Sequence, residues 1–373
     1  MVDTMASLRA FLRATRAERN TPPSPRLATA GLPADDEVLL DAPDARLGPA
    51  LVAAGRGEYG PAADLLAATR ATADWENRDR YVIRLAAFAH SRAEWFTSWR
   101  AAAPHDPDAL LVAAELAVAR AWESPARAEL LHQTGPLVES AAAGDPRDPV
   151  PWRIALDRAR GSDAGHDEFE RLWGEAVRRS PHHYGCHVAA LQYLSTGPFR
   201  TSGGRTSGGR TSGGRASGGR GSHRECLDFA EWAAQDAPPG ALVQALPLRA
   251  AFACLTEGDG RTVVDRTRLD AAADTAIALS ATLPAAAPGP AELRNLLTYV
   301  LIALDRWQDA LLQLRLTGPY ASSFPWDRFS DDPLGRFLEA REEIRRNAPA
   351  ARCAACAGHP RSEHGGRAHS GDH

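Results

Sequence analysis

The chain has 373 residues, 44% of them hydrophobic and 24% charged, with a formal net charge of −4. This is an ordinary globular composition, and so small a net charge provides no global field to attract nucleic acid. All 43 basic residues are arginine, so a phosphate-loop lysine, a Schiff-base lysine and a kinase strand lysine are excluded.

Five cysteines, an odd and sparse set, do not form a disulfide framework and suggest a reducing compartment. The N-terminus lacks the apolar run and small-residue cleavage site of a signal peptide. No stretch approaches the roughly 18 apolar residues of a membrane span. The expectation is a bacterial cytoplasmic protein with no membrane association, since the Ala, Arg, Gly and Pro excess has the character of a GC-rich coding bias.

In chain order, Leu8, Phe11 and Leu12 predict a short N-terminal helix within 1–19. Residues 20–44 hold Pro22, Pro23, Pro25 and Pro33 and are expected to form a linker. A helical body follows over 45–347. Tyr81, Val82, Leu85, Phe88 and Ala89 make one apolar stripe, and Phe169, Leu172, Trp173, Ala176 and Val177 make another. Asp167 and Glu170 are placed to cap the second of these helices. Leu293, Leu296, Leu297, Val300, Leu301 and Leu304 carry the same spacing further. Pro104, Pro146, Pro181 and Pro238 punctuate the body, and Asp106-Pro107 has the form of a helix start.

The body is interrupted at 197–222. Here Thr201–Arg220 comprises four copies of a Thr/Ala-Ser-Gly-Gly-Arg pentamer, whose small polar residues offer too little apolar surface to offset the entropy of ordering. Arginines recur every fifth residue from Arg200 to Arg220 without interleaved aromatics, so RNA binding is not expected of it. Residues 348–373 form a Cys- and His-containing tail poor in core-forming residues.

Two tight turns have a common form. Tyr59 and Ala62 follow one, and Trp307 and Ala310 follow the other, an aromatic opening the second helix and a small residue three positions on. This resembles the turn between the two helices of the tetratricopeptide repeat. The match is degenerate, and no window carries the whole pattern. The resemblance implies an all-α fold: a tetratricopeptide-like α-solenoid of degenerate antiparallel helix pairs. Trp99-Arg100-Ala101-Ala102-Ala103-Pro104, Ala121-Trp122-Glu123 and Asp148-Pro149-Val150-Pro151-Trp152 also make the middle region similar to an uncharacterised bacterial helical family, which implies a fold and no activity.

Cys353, Cys356, His359 and His364 form C-x2-C-x2-H-x4-H, a spacing at which thiolates and imidazoles can hold zinc; the alternative is a compositionally biased tail. His183 and His187 share a helix face four residues apart, as do His182 and Cys186; the alternative is a polar first turn. Of the nine tryptophans, Trp95, Trp99, Trp122 and Trp152 are candidates for a partner-binding surface, against the plainer role of packing between helices. H-E-x-x-H, G-x-S-x-G, dinucleotide and EF-hand motifs are absent. The functional expectation is a non-catalytic scaffold for a protein or peptide partner, with no cofactor. The alternative is a metal-binding protein or metal-dependent enzyme using His182–His187 or the tail.

Overall fold

The computed structural model describes residues 31–162, 164–195, 221–257 and 260–348. The N-terminal helix, the pentamer segment and the four-residue Cys/His cluster of the tail lie outside the described residues. Helix makes up 73% of the described residues and strand 1%. None of the helices is long and apolar enough to cross a membrane.

The described residues hold 17 α-helices. The first ten are α1 (Leu47–Ala54), α2 (Gly60–Ala71), α3 (Trp75–Ser91), α4 (Glu94–Ala102), α5 (Pro107–Glu123), α6 (Arg127–Gln133), α7 (Gly135–Ala142), α8 (Val150–Gly161), α9 (His166–Arg179) and α10 (Tyr184–Leu194). They are followed by α11 (His223–Asp236), α12 (Leu246–Thr256), α13 (Gly260–Val263), α14 (Arg266–Thr282), α15 (Ala291–Ala303), α16 (Trp307–Thr317) and α17 (Pro333–Asn347). Most packing joins helices that are neighbours or next-but-one in sequence, as in α1 on α2, α3 on α5, α5 on α7, α8 on α10, α11 on α12 and α15 on α16. Longer-range packing brings α3 against α8 and α10.

Helix boundaries follow local chemistry. Asp106 caps α5, its carboxylate accepting from the Asp108 and Ala109 amides at 2.8 and 3.3 Å, with Pro107 at the first helical position. Ser222 and Glu225 form a capping box at the start of α11, so the segment expected to be loop to residue 222 already serves the helix at its last position. The expected cap at Asp167 and Glu170 is not formed. Gly165 precedes α9 without a side-chain cap, and Glu170 instead meets His166 one turn back at 3.1 Å.

Both turns singled out in the sequence close in the same way. After α1, the Gly57 amide donates to Ala54 and the Glu58 amide to Ala53; after α15, the Asp305 amide donates to Ile302 and the Arg306 amide to Leu301. This paired bonding satisfies the last helical carbonyls and needs a left-handed residue, supplied by Gly57 at φ 90° and Asp305 at φ 55°. Ala73, at φ 53°, ends α2 by the same motif. Ala62 and Ala310 are fully buried, as close packing at the second helix requires.

Two apolar cores result. One runs from Leu47 to Tyr193, and the other from Leu191 to Ile344; Leu194 and Phe229 pack against both. Trp95 and Trp99 sit in the first core and Trp326 in the second, each 0% exposed. In the second core Arg294 is buried, and among the described residues no carboxylate pairs with it. Its guanidinium donates to Ser280 Oγ and to the carbonyls of Ser280, Leu283, Pro284 and Leu316, completing the C-terminal ends of α14 and α16; burial holds its pKa down to about 10.

Residues 34–44 depart from the expected linker. Asp35–Glu37 form a 3-10 turn, and Leu39–Leu40 pair in parallel with Tyr320–Ala321. Val38 and Leu39 are buried, Val38 within the C-terminal core. Arg341 binds the Pro33 carbonyl and Asp35, while Asp41 holds Ser323 and Arg84. The prolines hid an apolar Val-Leu-Leu run that has a distant sheet partner and apolar core to bury against.

Candidate functional site

The densest polar chemistry lies where α3 meets α5, α8 and α10. The first turns of α3 place Glu76, Arg78 and Asp79 on its packed side, with Arg78 and Asp79 buried. A buried charge needs a partner, and each finds one on another helix. Arg78 donates to Asp148 through Nε at 2.6 Å, to Asp108 at 2.6 Å and to the Leu66 carbonyl at 2.8 Å. Asp108 lies in the first turn of α5, and Asp148 accepts from the Val150 amide at the start of α8, so both carboxylates also face positive helix ends. One guanidinium thus ties α2, α5 and α8 to α3. Arg70 adds a second contact to Asp108 at 3.2 Å.

Arg153 on α8 is shared more widely. It meets Asp79 at 2.6 Å, Glu115 at 2.7 Å and Asp157 at 3.3 Å. Burial acts against its charge, but Asp79, Glu115 and Asp157 outweigh that and hold it protonated. The carboxyls are less well provided for. Burial raises Glu115 above the usual carboxylate range, Arg153 opposes this, and Asp157 and Asp79 add to it. Glu76 and Asp148 are also raised, chiefly by burial.

His183 caps α10 within this cluster. Its Nδ1 accepts from the Cys186 amide at 3.3 Å and lies 3.1 Å from Cys186 Sγ. An accepting Nδ1 leaves the proton on Nε2, which faces Asp79 Oδ2 at 4.0 Å, too far for a hydrogen bond. Gly185 is required here, because a Cβ would overlap Asp79 Oδ2. The order Cys186, His183, Asp79 is that of a nucleophile, a base and an orienting carboxylate. The chemistry does not follow: Cys186 is fully buried, burial and the neighbouring carboxylates push its thiol well up, and neither Cys186 nor His183 lines the cleft described below. This arrangement anchors α10 to α3, together with the Tyr184 amide on Glu76 at 2.8 Å.

The two histidines proposed as a metal pair have separate surroundings. The His187 ring packs edge-on to Trp173 at 5.0 Å and over Phe229 at 6.2 Å, its Nδ1 3.0 Å from the His183 carbonyl, and burial lowers its pKa. Among the described residues no group of three or more His, Cys, Asp or Glu side chains is arranged to hold a metal ion. Cys353, Cys356, His359 and His364 lie outside the described residues.

The tryptophans divide similarly. Trp95 and Trp99 come together at 6.2 Å inside the core, where Trp99 stacks on Tyr59 and donates to Asp106 at 3.3 Å; neither presents surface to a partner. Trp152 lies partly buried under the Arg179 guanidinium at 4.3 Å. Trp122 lines an open cleft of about 420 Å³ between α3, α5 and α8. Ile83, Ala87 and Ala119 supply apolar wall, Glu115 and Asp157 the inner polar surface, and His90 and Glu123 meet across the rim at 3.8 Å. Arg160 stacks on Trp122 at 4.3 Å and pairs with Asp157 at 3.3 Å.

Of the residues that build this region, the sequence reading found Trp122 and His183 and missed Arg78, Asp79, Asp108, Glu115, Asp148, Arg153 and Asp157. The one available signal was the recurrence of Asp-Pro before a helix at Asp106 and Asp148. No protein-family model, curated protein or solved structure matches the chain.

Proposed function

We propose that the chain is a non-catalytic, tetratricopeptide-like helical-repeat scaffold of the bacterial cytoplasm that binds a protein or peptide partner, with the cleft between α3, α5 and α8 as its recognition groove. The observation that carries this reading is the cleft itself. At about 420 Å³ it falls in the roughly 300–1,000 Å³ range of ligand sites, and it combines apolar wall with a few convergent polar groups. Its polar groups are held by ion pairs to buried Arg153, so their positions are set before any ligand arrives. Two further features support the scaffold reading: the succession of packed helix pairs, and the matching turns after α1 and α15.

The test fills the cleft from its exposed side. Ala87 is exposed and lines the wall, so Ala87→Trp blocks the space without entering the core. The wild-type chain is expected to retain a stoichiometric partner from host extract that Ala87→Trp loses, both proteins melting at the same temperature. Equal retention by Ala87→Trp would remove the cleft from the reading.

A further inference from the structure

The cleft has an unbalanced charge that indicates what it takes. Glu115 and Asp157 form its inner surface, with side chains 12% and 21% exposed, and Glu123 stands at the rim. Directly behind, Asp79 draws on the same Arg153 that serves Glu115 and Asp157. These four carboxylates are met by Arg153 and Arg160, and Arg127 also lies against the Trp122 ring beside Arg160, so three guanidiniums face four carboxylates and one negative charge is left over. His90 adds charge only when protonated. A cation brought close to Glu115 and Asp157 therefore enters a field that remains negative, at partly buried oxygens where Coulomb attraction is poorly screened.

The apolar wall sets the form of that cation. Exposed Ile83 and Ala87 of α3 line the same cleft as these carboxylates and can cover an aliphatic stem. Trp122 already accepts the guanidiniums of Arg160 and Arg127 on its ring, at 4.3 and 4.9 Å. A bare metal ion would leave the apolar wall unused, and an anion would be repelled by the floor.

We propose that the cleft receives the arginine or lysine side chain of a partner peptide, its stem against Ile83 and Ala87 and its charged head on Glu115 and Asp157. This rests on the scaffold reading and names the chemistry of its ligand. The probe is a positional-scanning hexapeptide library presented to the immobilised full-length chain. Basic residues are expected to be enriched over glutamate about tenfold at one position, the effect of about 1.4 kcal/mol. Replacing that arginine by citrulline, which keeps shape and loses charge, should remove most of the enrichment. Ala87→Trp should abolish it, and Asp157→Asn and Glu115→Gln should each weaken it, Asp157→Asn serving if Glu115→Gln melts early. Equal binding of the citrulline peptide, a preference for acidic or purely apolar peptides, or a basic preference that survives Ala87→Trp would overturn the proposal. If peptide binding stays sensitive to Ala87→Trp but indifferent to charge, the scaffold reading stands and this inference falls. If Ala87→Trp changes neither peptide nor partner binding, the cleft is lost to both.

Discussion

At the residue scale, the charged cluster shows how unequal the two members of a buried ion pair can be. Arg153 is the shared partner of Asp79, Glu115 and Asp157, so removing it strands Asp79 and Glu115, whereas Asp157 keeps its pair with Arg160. Arg153→Met is expected to cost about 3–5 kcal/mol, the range for breaking a buried pair from one side. Glu115→Gln removes a surplus negative charge and leaves Arg153 two carboxylates, so it should be close to neutral at pH 7; urea unfolding of both variants checks the contrast. The pH dependence follows from the same imbalance. Burial raises Glu115, Glu76 and Asp148 in the folded state, so the folded chain holds these protons more tightly than the unfolded one. Their stabilising contribution is complete below the unfolded carboxylate values near about 4 and is lost as pH rises through the folded values. Glutamine at position 115 mimics the protonated form. Glu115→Gln should therefore gain stability relative to the wild type between pH 4.5 and 7.5, and a constant difference across that range would contradict the assignment.

At the scale of elements, three helix ends use one solution with different residues. Gly57, Ala73 and Asp305 all occupy the left-handed region that lets the last carbonyls of α1, α2 and α15 find amide donors. Glycine adopts this conformation freely, whereas an L-residue with a Cβ sustains a penalty of roughly 1–2 kcal/mol. Ala73 and Asp305 are exposed, so their side chains have little packing to lose. Ala73→Gly and Asp305→Gly are each expected to raise stability by up to about 1 kcal/mol, and Gly57→Ala to lower it by a similar amount. Thermal melts in which Gly57→Ala is the most stable of the three would refute the shared-motif account.

At the scale of the molecule, the segment before α1 joins the first part of the chain to the last. Val38 reaches the C-terminal core, Leu39–Leu40 pair with Tyr320–Ala321, and Asp41 engages both Ser323 and Arg84 of α3. Arg84 and Ser323 together keep Asp41 below its ordinary value despite burial. Removal of residues 1–41 exposes the surfaces that Val38 and Leu39 cover, a loss of roughly 1.5–3 kcal/mol for each buried side chain. Calorimetry of that truncation should show a melting temperature several degrees lower.

Local chemistry alone determined that the chain is helical, where many helices begin and end, and which stripes face inward. Those are properties of spacing, capping residues and turn residues, and Tyr81, Phe169, Leu297, Asp106, Ala62 and Ala310 all declared themselves this way. The charged site was not legible. Arg78 and Asp79 stand in a helix turn that also holds Glu76 and Arg80, and such a turn reads as solvent-facing until a second helix covers it. Their partners Asp108, Asp148 and Arg153 lie tens of residues away in sequence, and pairing at that separation leaves no periodic trace. The division of the tryptophans was likewise a tertiary matter: Trp95 and Trp99 went to the core and Trp122 to a cleft because neighbouring helices enclosed one face and not another. Periodicity specifies which face of a helix is covered; only the packing of α3, α5, α8 and α10 specified which charges meet, because burial without water is what forces each one to find a partner.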